Sequence, residues 1–137
     1  MRKILPLFCA GALLFFSCGC TTSTLKWTPP VAGEKSAAGS EVVWNLEAVN
    51  HGIYLFYCIP FFCGSTSRPN RGDYRFFSHL VNERHAYRML HGSLKKLKAD
   101  TVEDVTVSCS SNGWVGLGIF WSRSFNAKGK AVKKKRK

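Results

Sequence analysis

Thiol chemistry is available to this chain from two groups of cysteines. Cys18 and Cys20 follow an apolar segment near the N-terminus, while Cys58, Cys63 and Cys109 are spread along the rest of the chain. In an oxidising compartment, Cys58 could pair with Cys63 or with Cys109 and leave one thiol over. The four residues between Cys58 and Cys63 differ from the Cys-x-x-Cys spacing of redox catalysts, so redox catalysis is not the favoured role.

Metal and catalytic chemistry would need histidines and carboxylates in particular patterns. The histidines at positions 79, 85 and 91 are six residues apart, which places them on different faces of a helix. A helical metal pair needs the i, i+4 spacing instead. No serine lies in a nucleophile-elbow pattern, and the one dense acidic cluster, Asp100 to Asp104, is typical of capping or solvation. We therefore predict no metal site, no cofactor and no catalytic group.

The first twenty residues have the layout of an export signal. Arg2 and Lys3 precede an apolar run from Ile4 to Phe16, and small residues surround the two cysteines that follow. The run is about thirteen residues long, whereas a helix needs about twenty to cross the hydrocarbon core of a membrane. Residues 1–17 are therefore predicted to be a signal peptide that is removed.

The segments Phe15-Phe16-Ser17-Cys18 and Ser17-Cys18-Gly19-Cys20 resemble the cleavage site of bacterial lipoprotein precursors. The resemblance implies cleavage before a cysteine whose thiol becomes diacylglyceryl-modified. It favours Cys18 as the lipid anchor, because the bulky apolar Phe15 lies three positions before it, and keeps Cys20 as the alternative. The residue after the anchor is not Asp, which implies the outer membrane where the cell has one. The ending Ser124–Val132 is similar to small envelope lipoproteins of unknown function.

The chain is strongly basic, with 20 Lys and Arg against 8 Asp and Glu and a net charge of +12. Removal of Arg2 and Lys3 with the signal would leave +10. Export argues against nucleic acid, so the expected polyanions are anionic lipid, lipopolysaccharide or peptidoglycan. A solubilising tail without a specific partner is the alternative. The basic residues proposed to bind a polyanion are Lys128, Lys130, Lys133, Lys134, Lys135, Arg136 and Lys137.

Composition divides the chain after the signal into three parts. Residues 18–40, rich in Thr, Ser, Ala, Gly and Pro, are predicted to be a lipid-anchored flexible tether. Twenty such residues would span roughly 25 Å. Residues 41–132 are predicted to form one small domain, and residues 133–137 a disordered basic tail.

The first half of the predicted domain contains two strands. Alternation from Val42 predicts one strand, residues 50–52 predict a turn, and the apolar segment Ile53–Phe62 predicts the next. Pro60 is expected to end regular pairing. The aromatic side chains here and in Trp114–Trp121 are expected to pack in the core, with a surface for glycan or lipid as the alternative.

One amphipathic helix is predicted after a polar loop over residues 64–73. It would begin at Tyr74 or Ser78, with Asp73 as its cap, and end near Lys98. Apolar residues at spacings of three, four and seven would form its buried side, among them Leu90.

A second hairpin follows the helix. Val105–Cys109 and Val115–Trp121 would be its strands, residues 111–113 its turn, and the second strand would continue towards Val132. The predicted fold is therefore α+β, a small antiparallel sheet made from two hairpins with the helix between them in sequence (ββαββ).

The function predicted from these features is that of a non-enzymatic, lipid-anchored cell-envelope protein that binds an anionic envelope polymer or a protein partner. Two alternatives stay open. One is an envelope enzyme acting on cell-wall material, which a cleft joining His85 or His91 to Glu83, Asp100 or Glu103 would support. The other is a sensor whose cysteines report redox or metal stress.

Overall fold

The computed structural model describes residues 23–113 and 119–134. Over these residues the protein is an antiparallel sheet with a single helix, which confirms the predicted α+β class. The elements are β1 (Thr24–Thr28), β2 (Glu41–Leu55), β3 (Ile59–Gly64), β4 (Tyr74–Phe76), α1 (Glu83–Leu97), β5 (Thr101–Gly113) and β6 (Phe120–Lys133).

The sheet is built around β2, its longest strand. The strand order is β4-β3-β2-β6-β5, and β1 also pairs with β2. Because β6 pairs along the whole of β2, β1 and β3 share the other edge, β1 beside residues 45–49 and β3 beside residues 52–55. Four strands thus precede the helix in place of the two predicted, and the simple ββαββ order does not describe this sheet.

The predicted tether is wrong from Ser23 onward, because this part of the chain is folded onto the domain. Leu25 is buried in the core beside β2. The Ser23 hydroxyl donates to Asn50 Oδ1 at 2.8 Å, and the Asn70 side chain bonds both the N–H and the C=O of Leu25. Edge pairing and these polar contacts decide the conformation here in spite of the Ser- and Thr-rich composition. Cys18 and Cys20 lie outside the described residues.

The predicted turn at residues 50–52 is also wrong, since β2 runs straight through it. Asn50 is fully buried, and its side chain bonds Ser23 and the carbonyl of Leu80. Gly52 allows a close approach, because a Cβ atom there would lie 2.6 Å from Val81 Cγ2. Asn50 and Gly52 are residue types that favour turns, but here Asn50 makes buried hydrogen bonds and Gly52 leaves room for the Val81 side chain.

The helix begins later than predicted. Asn82 is its N-cap and accepts a hydrogen bond from the His85 N–H at 3.0 Å, whereas Tyr74–Phe76 forms β4 and Asp73 caps nothing. Its end agrees with the prediction, because Lys98 is the C-cap with a φ of 53°. The buried residues Ala86, Met89, Leu90 and Ser93 lie on one side of α1, which packs against β2, β6 and β5.

The second hairpin is longer than predicted. Residues 111–113 are part of β5 and pair with β6, and residues 114–118 lie outside the described residues. The predicted continuation to Val132 is confirmed. Lys133 ends β6 opposite Glu41, and the Lys134 N–H donates to Asp100 Oδ2 at 2.9 Å. The prediction of a disordered tail is therefore wrong at these two lysines, and residues 135–137 are outside the described range.

Candidate functional site

The sheet face turned away from α1 changes character along its length. Leu46 and Ala48 of β2 face the helix, so the alternate residues of β2 form the opposite, open face. Near Asn45 this open face carries ion pairs, and its middle carries serine and asparagine side chains of β5 and β6. At the far end it carries aromatic rings.

We call this last region the aromatic end. It consists of Phe56, Tyr57, Ile59, Phe61, Phe62, Tyr74, Phe76, Phe77 and Phe120. Seven of the nine large hydrophobic side chains that are exposed in the described residues belong to it. Phe61 lies at its centre, with ring centroids 5.4 Å from Phe62, 6.2 Å from Phe77 and 6.2 Å from Phe120. Exposed apolar side chains grouped in this way make this end of the sheet a candidate interaction surface.

A β-bulge helps to build this surface. Ile53 pairs with Phe62 and Tyr54 pairs with Pro60, so Phe61 has no partner in β2. Pro60 was expected to end regular pairing, and it instead lies within β3 beside this shift of register. A bulge bends the strand and turns the extra side chain in a new direction. Phe61 can therefore contact rings from β4 and β6 at once.

The turn between β2 and β3 has an unusual sequence for its geometry. The Cys58 N–H donates to the Leu55 carbonyl at 3.2 Å, and the two central residues, Phe56 and Tyr57, have φ angles of 49° and 69°. Positive φ at both central positions is the pattern of a type I′ turn, which favours Asn-Gly. Bulky residues in this region are disfavoured by about 1–2 kcal/mol each. The protein therefore holds two exposed aromatic rings in a strained turn, a pattern found at functional sites.

Replacing Phe56 with asparagine is expected to raise the free energy of unfolding by about 0.5–1 kcal/mol, because asparagine tolerates positive φ. Phe56 is 61% exposed, so little packing is lost. Chemical denaturation of the two proteins measures the difference. A variant that unfolds at lower denaturant concentration than the wild type would show that the ring stabilises the fold, contrary to this interpretation.

Arginines accompany the aromatic end. The Arg123 guanidinium carbon lies 4.9 Å from the ring centroids of both Tyr54 and Tyr57, a cation–π geometry. Arg75 lies between two exposed aromatic residues in β4, and Arg68 and Arg71 precede β4 in the loop. The carboxylates are elsewhere: six of the eight, at positions 34, 41, 47, 100, 103 and 104, lie toward the opposite end of the sheet.

Of the basic residues proposed to bind a polyanion, Lys128, Lys130, Lys133 and Lys134 belong to the described part of the chain, and the first two pair with carboxylates. Lys130 Nζ lies 3.3 Å from carboxylate oxygens of both Glu34 and Asp104, and Lys128 Nζ lies 3.4 Å from Glu47. A hydrogen bond to Glu34 raises the pKa of Lys130, and a hydrogen bond from Asn45 lowers the pKa of Glu34. These groups line an open groove of about 370 Å³ that contains both signs of charge. Local carboxylates therefore compensate the two lysines that β6 carries in the groove.

The cysteines do not form the disulfide considered from the sequence. Cys58, Cys63 and Cys109 are all free thiols. Ile59 and Cys63 pair with Leu55 and Gly52, which are three residues or about 10 Å apart along β2, and Cys58 lies beyond Ile59 in the turn. Cys109 lies in β5, and β6 separates it from β2, again by about 10 Å. Both separations exceed the Cα distance of about 7 Å beyond which a disulfide cannot close. Cys63 is buried and donates to the Ser78 carbonyl at 3.2 Å, and burial raises the pKa of its thiol.

Thiol reactivity is expected to divide these cysteines into two kinds. Cys58 and Cys109 are exposed and should react with a small thiol reagent in the native protein. Cys63 is 1% exposed and should react only after unfolding. Mass spectrometry of peptides labelled before and after denaturation measures this. Labelling of Cys63 in the native state, or a recovered disulfide between any two of the three, would contradict the structure.

The histidines have other partners than those needed for the cell-wall enzyme considered above. His85 Nδ1 lies 2.8 Å from Asn82 Oδ1, and the His91 ring stacks on Tyr87 at 6.0 Å. His51 Nε2 lies 3.3 Å from the Ser122 hydroxyl, and burial lowers the pKa of this histidine. Within residues 23–113 and 119–134, no group of three His, Cys, Asp or Glu side chains could hold a metal ion.

Comparison with known proteins adds no family or relative. No protein-family model, no curated protein and no solved structure matches this chain. In the part of the chain that the structure describes, no helix has the length and apolar character needed to cross a membrane. From the sequence, the exposed aromatic surface was only an alternative to core packing, because the residue types suit a core. Nothing in the Phe56-Tyr57 pair signals a turn, since type I′ turns favour Asn-Gly.

Proposed function

We propose that this chain is a non-enzymatic, lipid-anchored envelope protein, attached through Cys18 or alternatively Cys20, whose domain is a surface-binding module. The observation that carries the proposal is the aromatic end, an exposed apolar surface with arginines beside it. Surfaces that combine aromatic rings with arginine are typical of binding sites. The lipid anchor is supported by the sequence of residues 1–20.

Attachment through a lipid and attachment through charge respond differently to salt. A protein held by charge alone leaves a membrane at high salt, because screening shortens electrostatic reach to about 3 Å at 1 M ionic strength. An acylated protein stays, because its lipid chains remain in the hydrocarbon core.

The test is a salt and alkaline wash of membranes from bacterial cells that produce the full chain, followed by flotation on a density gradient. We expect the protein to float with the membranes after both washes. Release by salt would show a peripheral basic protein, and recovery in the culture medium would show a freely secreted one. Either result would overturn the proposed function.

A further inference from the structure

We infer that the aromatic end docks into the interfacial region of an anionic bilayer, next to the lipid anchor. This inference rests on the proposed function, because it takes the anchor at Cys18 or Cys20 as the point where the chain meets the membrane. It names the partner of the exposed aromatic surface as the lipid headgroup and upper acyl region of that same membrane.

The chain between the anchor and the domain is short. Ser23 is 2% exposed and fixed by its bond to Asn50. Cys18 precedes Ser23 by five residues, which span at most about 17 Å. Ser23 lies beside Asn50, and from there to the end of β2 at Leu55 is five residues, also about 17 Å. The anchored cysteine is therefore close enough to the domain for the aromatic end to contact the membrane surface.

The direction of β1 also places the anchored N-terminal segment on the side of the domain that carries the aromatic end. β1 runs from Thr24 opposite Val49 to Thr28 opposite Asn45, which is away from the aromatic end. The chain thus enters the domain in the half that carries the aromatic rings. The other half of the domain contains the groove and its carboxylates and lies farther from the anchor.

The composition and backbone conformation of the aromatic end also suit a membrane interface. Aromatic residues with an apolar body are enriched where proteins meet the membrane interface. Three of the exposed rings, those of Phe56, Tyr57 and Phe77, have positive φ angles that bulky residues avoid. Such strain is retained where side-chain placement serves a function, and here it places rings outward at the extremity of the sheet.

Charge also favours an anionic surface at this end of the sheet. Arg123 lies beside the Tyr57 ring, and Arg75 lies in β4 on the strand face opposite to Tyr74 and Phe76. Six of the eight carboxylates lie toward the other end of the sheet. Basic residues close to an anionic leaflet strengthen attachment. A second copy of the chain fits less well, because a two-fold interface would bring the same surface, arginines included, against itself. Like charges facing each other across an interface oppose association.

The test uses the full chain purified from membranes and reconstituted into vesicles that contain phosphatidylglycerol. Benzoylphenylalanine, a photoreactive phenylalanine analogue, replaces Phe76, which is 61% exposed in the aromatic end. The matched control carries it at Val31, which is 76% exposed beyond β1 near Glu34. Intact mass before irradiation shows whether each protein carries its lipid anchor.

We expect a phospholipid adduct from position 76 after irradiation and none above background from position 31. An adduct with a second copy or with another protein at position 76 would overturn the inference and identify a protein interface instead. A lipidated protein without any adduct at position 76 would overturn it while leaving the proposed function intact. A soluble protein without a lipid mass would overturn both.

A second variant separates membrane contact from folding. Phe56→Asn keeps the turn and relieves its strain, so it should fold at least as well as the wild type. Introduced together with the probe at position 76, it should lower the yield of the lipid adduct because one inserted ring is removed. An unchanged yield would contradict insertion of the turn.

Discussion

Substitution of Leu90 by alanine is expected to lower the free energy of unfolding by about 3–4 kcal/mol, within the range for fully buried leucines. Leu90 has no exposed area and belongs to the cluster in which α1 covers the sheet. Removing most of its side chain loses burial free energy and leaves a cavity between α1 and the sheet, in the cluster that also contains Met89 of α1 and Ala127 of β6. Urea denaturation followed by circular dichroism measures the change.

The control for this prediction is Val31→Ala. Val31 is also aliphatic but 76% exposed, so its truncation should change stability by less than about 0.5 kcal/mol. Equal effects of the two substitutions would show that α1 does not form the core described. An effect below 1 kcal/mol for Leu90→Ala would do the same.

Asn50→Ala is the other substitution with a large expected effect, a loss of about 3 kcal/mol. The Asn50 side chain accepts from the Ser23 hydroxyl and donates to the Leu80 carbonyl at a site without exposed area. Alanine would leave both of these partner groups without their bond to the side chain, and unsatisfied buried polar groups cost about 1–3 kcal/mol each.

A second measurement makes the role of Asn50 specific. Because Asn50 joins Ser23 to the sheet, amide hydrogen exchange in β1 should become faster in the Asn50→Ala protein than in the wild type. Asn112→Ala, at an exposed asparagine in β5, should change neither stability nor exchange in β1. If β1 exchanged equally in all three proteins, the bond between Ser23 and Asn50 would not be what holds this strand.

Local periodicity in the sequence correctly predicted the end of the helix and the course of the last strand, where tertiary contacts agree with the local pattern. The end of α1 near Lys98 followed from the helical spacing and the basic last turn, and β6 followed from alternation through to Val132. α1 buries one side, and β6 alternates between more and less buried residues from Ala127 to Ala131, so both sequences show their period directly.

Tertiary contacts decided the places where sequence prediction was wrong. Residues 50–52 have turn chemistry, but β1 and β3 occupy one edge of β2 and β6 the other, so the strand continues. Leu25 lies in a segment composed like a linker, and only its partner strand shows that it is buried. Asp73 could cap a helix, but Tyr74–Phe76 pairs with β3 instead.

The candidate surface could be anticipated only in part. Ile53–Phe62 was predicted as an apolar strand, and the same residue types serve equally for a core or for a surface. Which rings are exposed depends on the bulge at Phe61 and on the turn at Phe56, two features of backbone geometry. The lysines of β6 suggested a polyanion site, but the carboxylates that face Lys128 and Lys130 come from residues distant in sequence.

Intact-mass analysis of the membrane fraction tests the central claim most directly, for the wild type and for Cys18→Ala and Cys20→Ala separately. We predict that the wild type begins at Cys18 and carries a diacylglyceryl increment. Cys18→Ala should abolish the increment and leave the uncut precursor, while Cys20→Ala remains modified. Loss of the increment only in Cys20→Ala would move the anchor to Cys20. A wild-type chain without lipid would contradict the account.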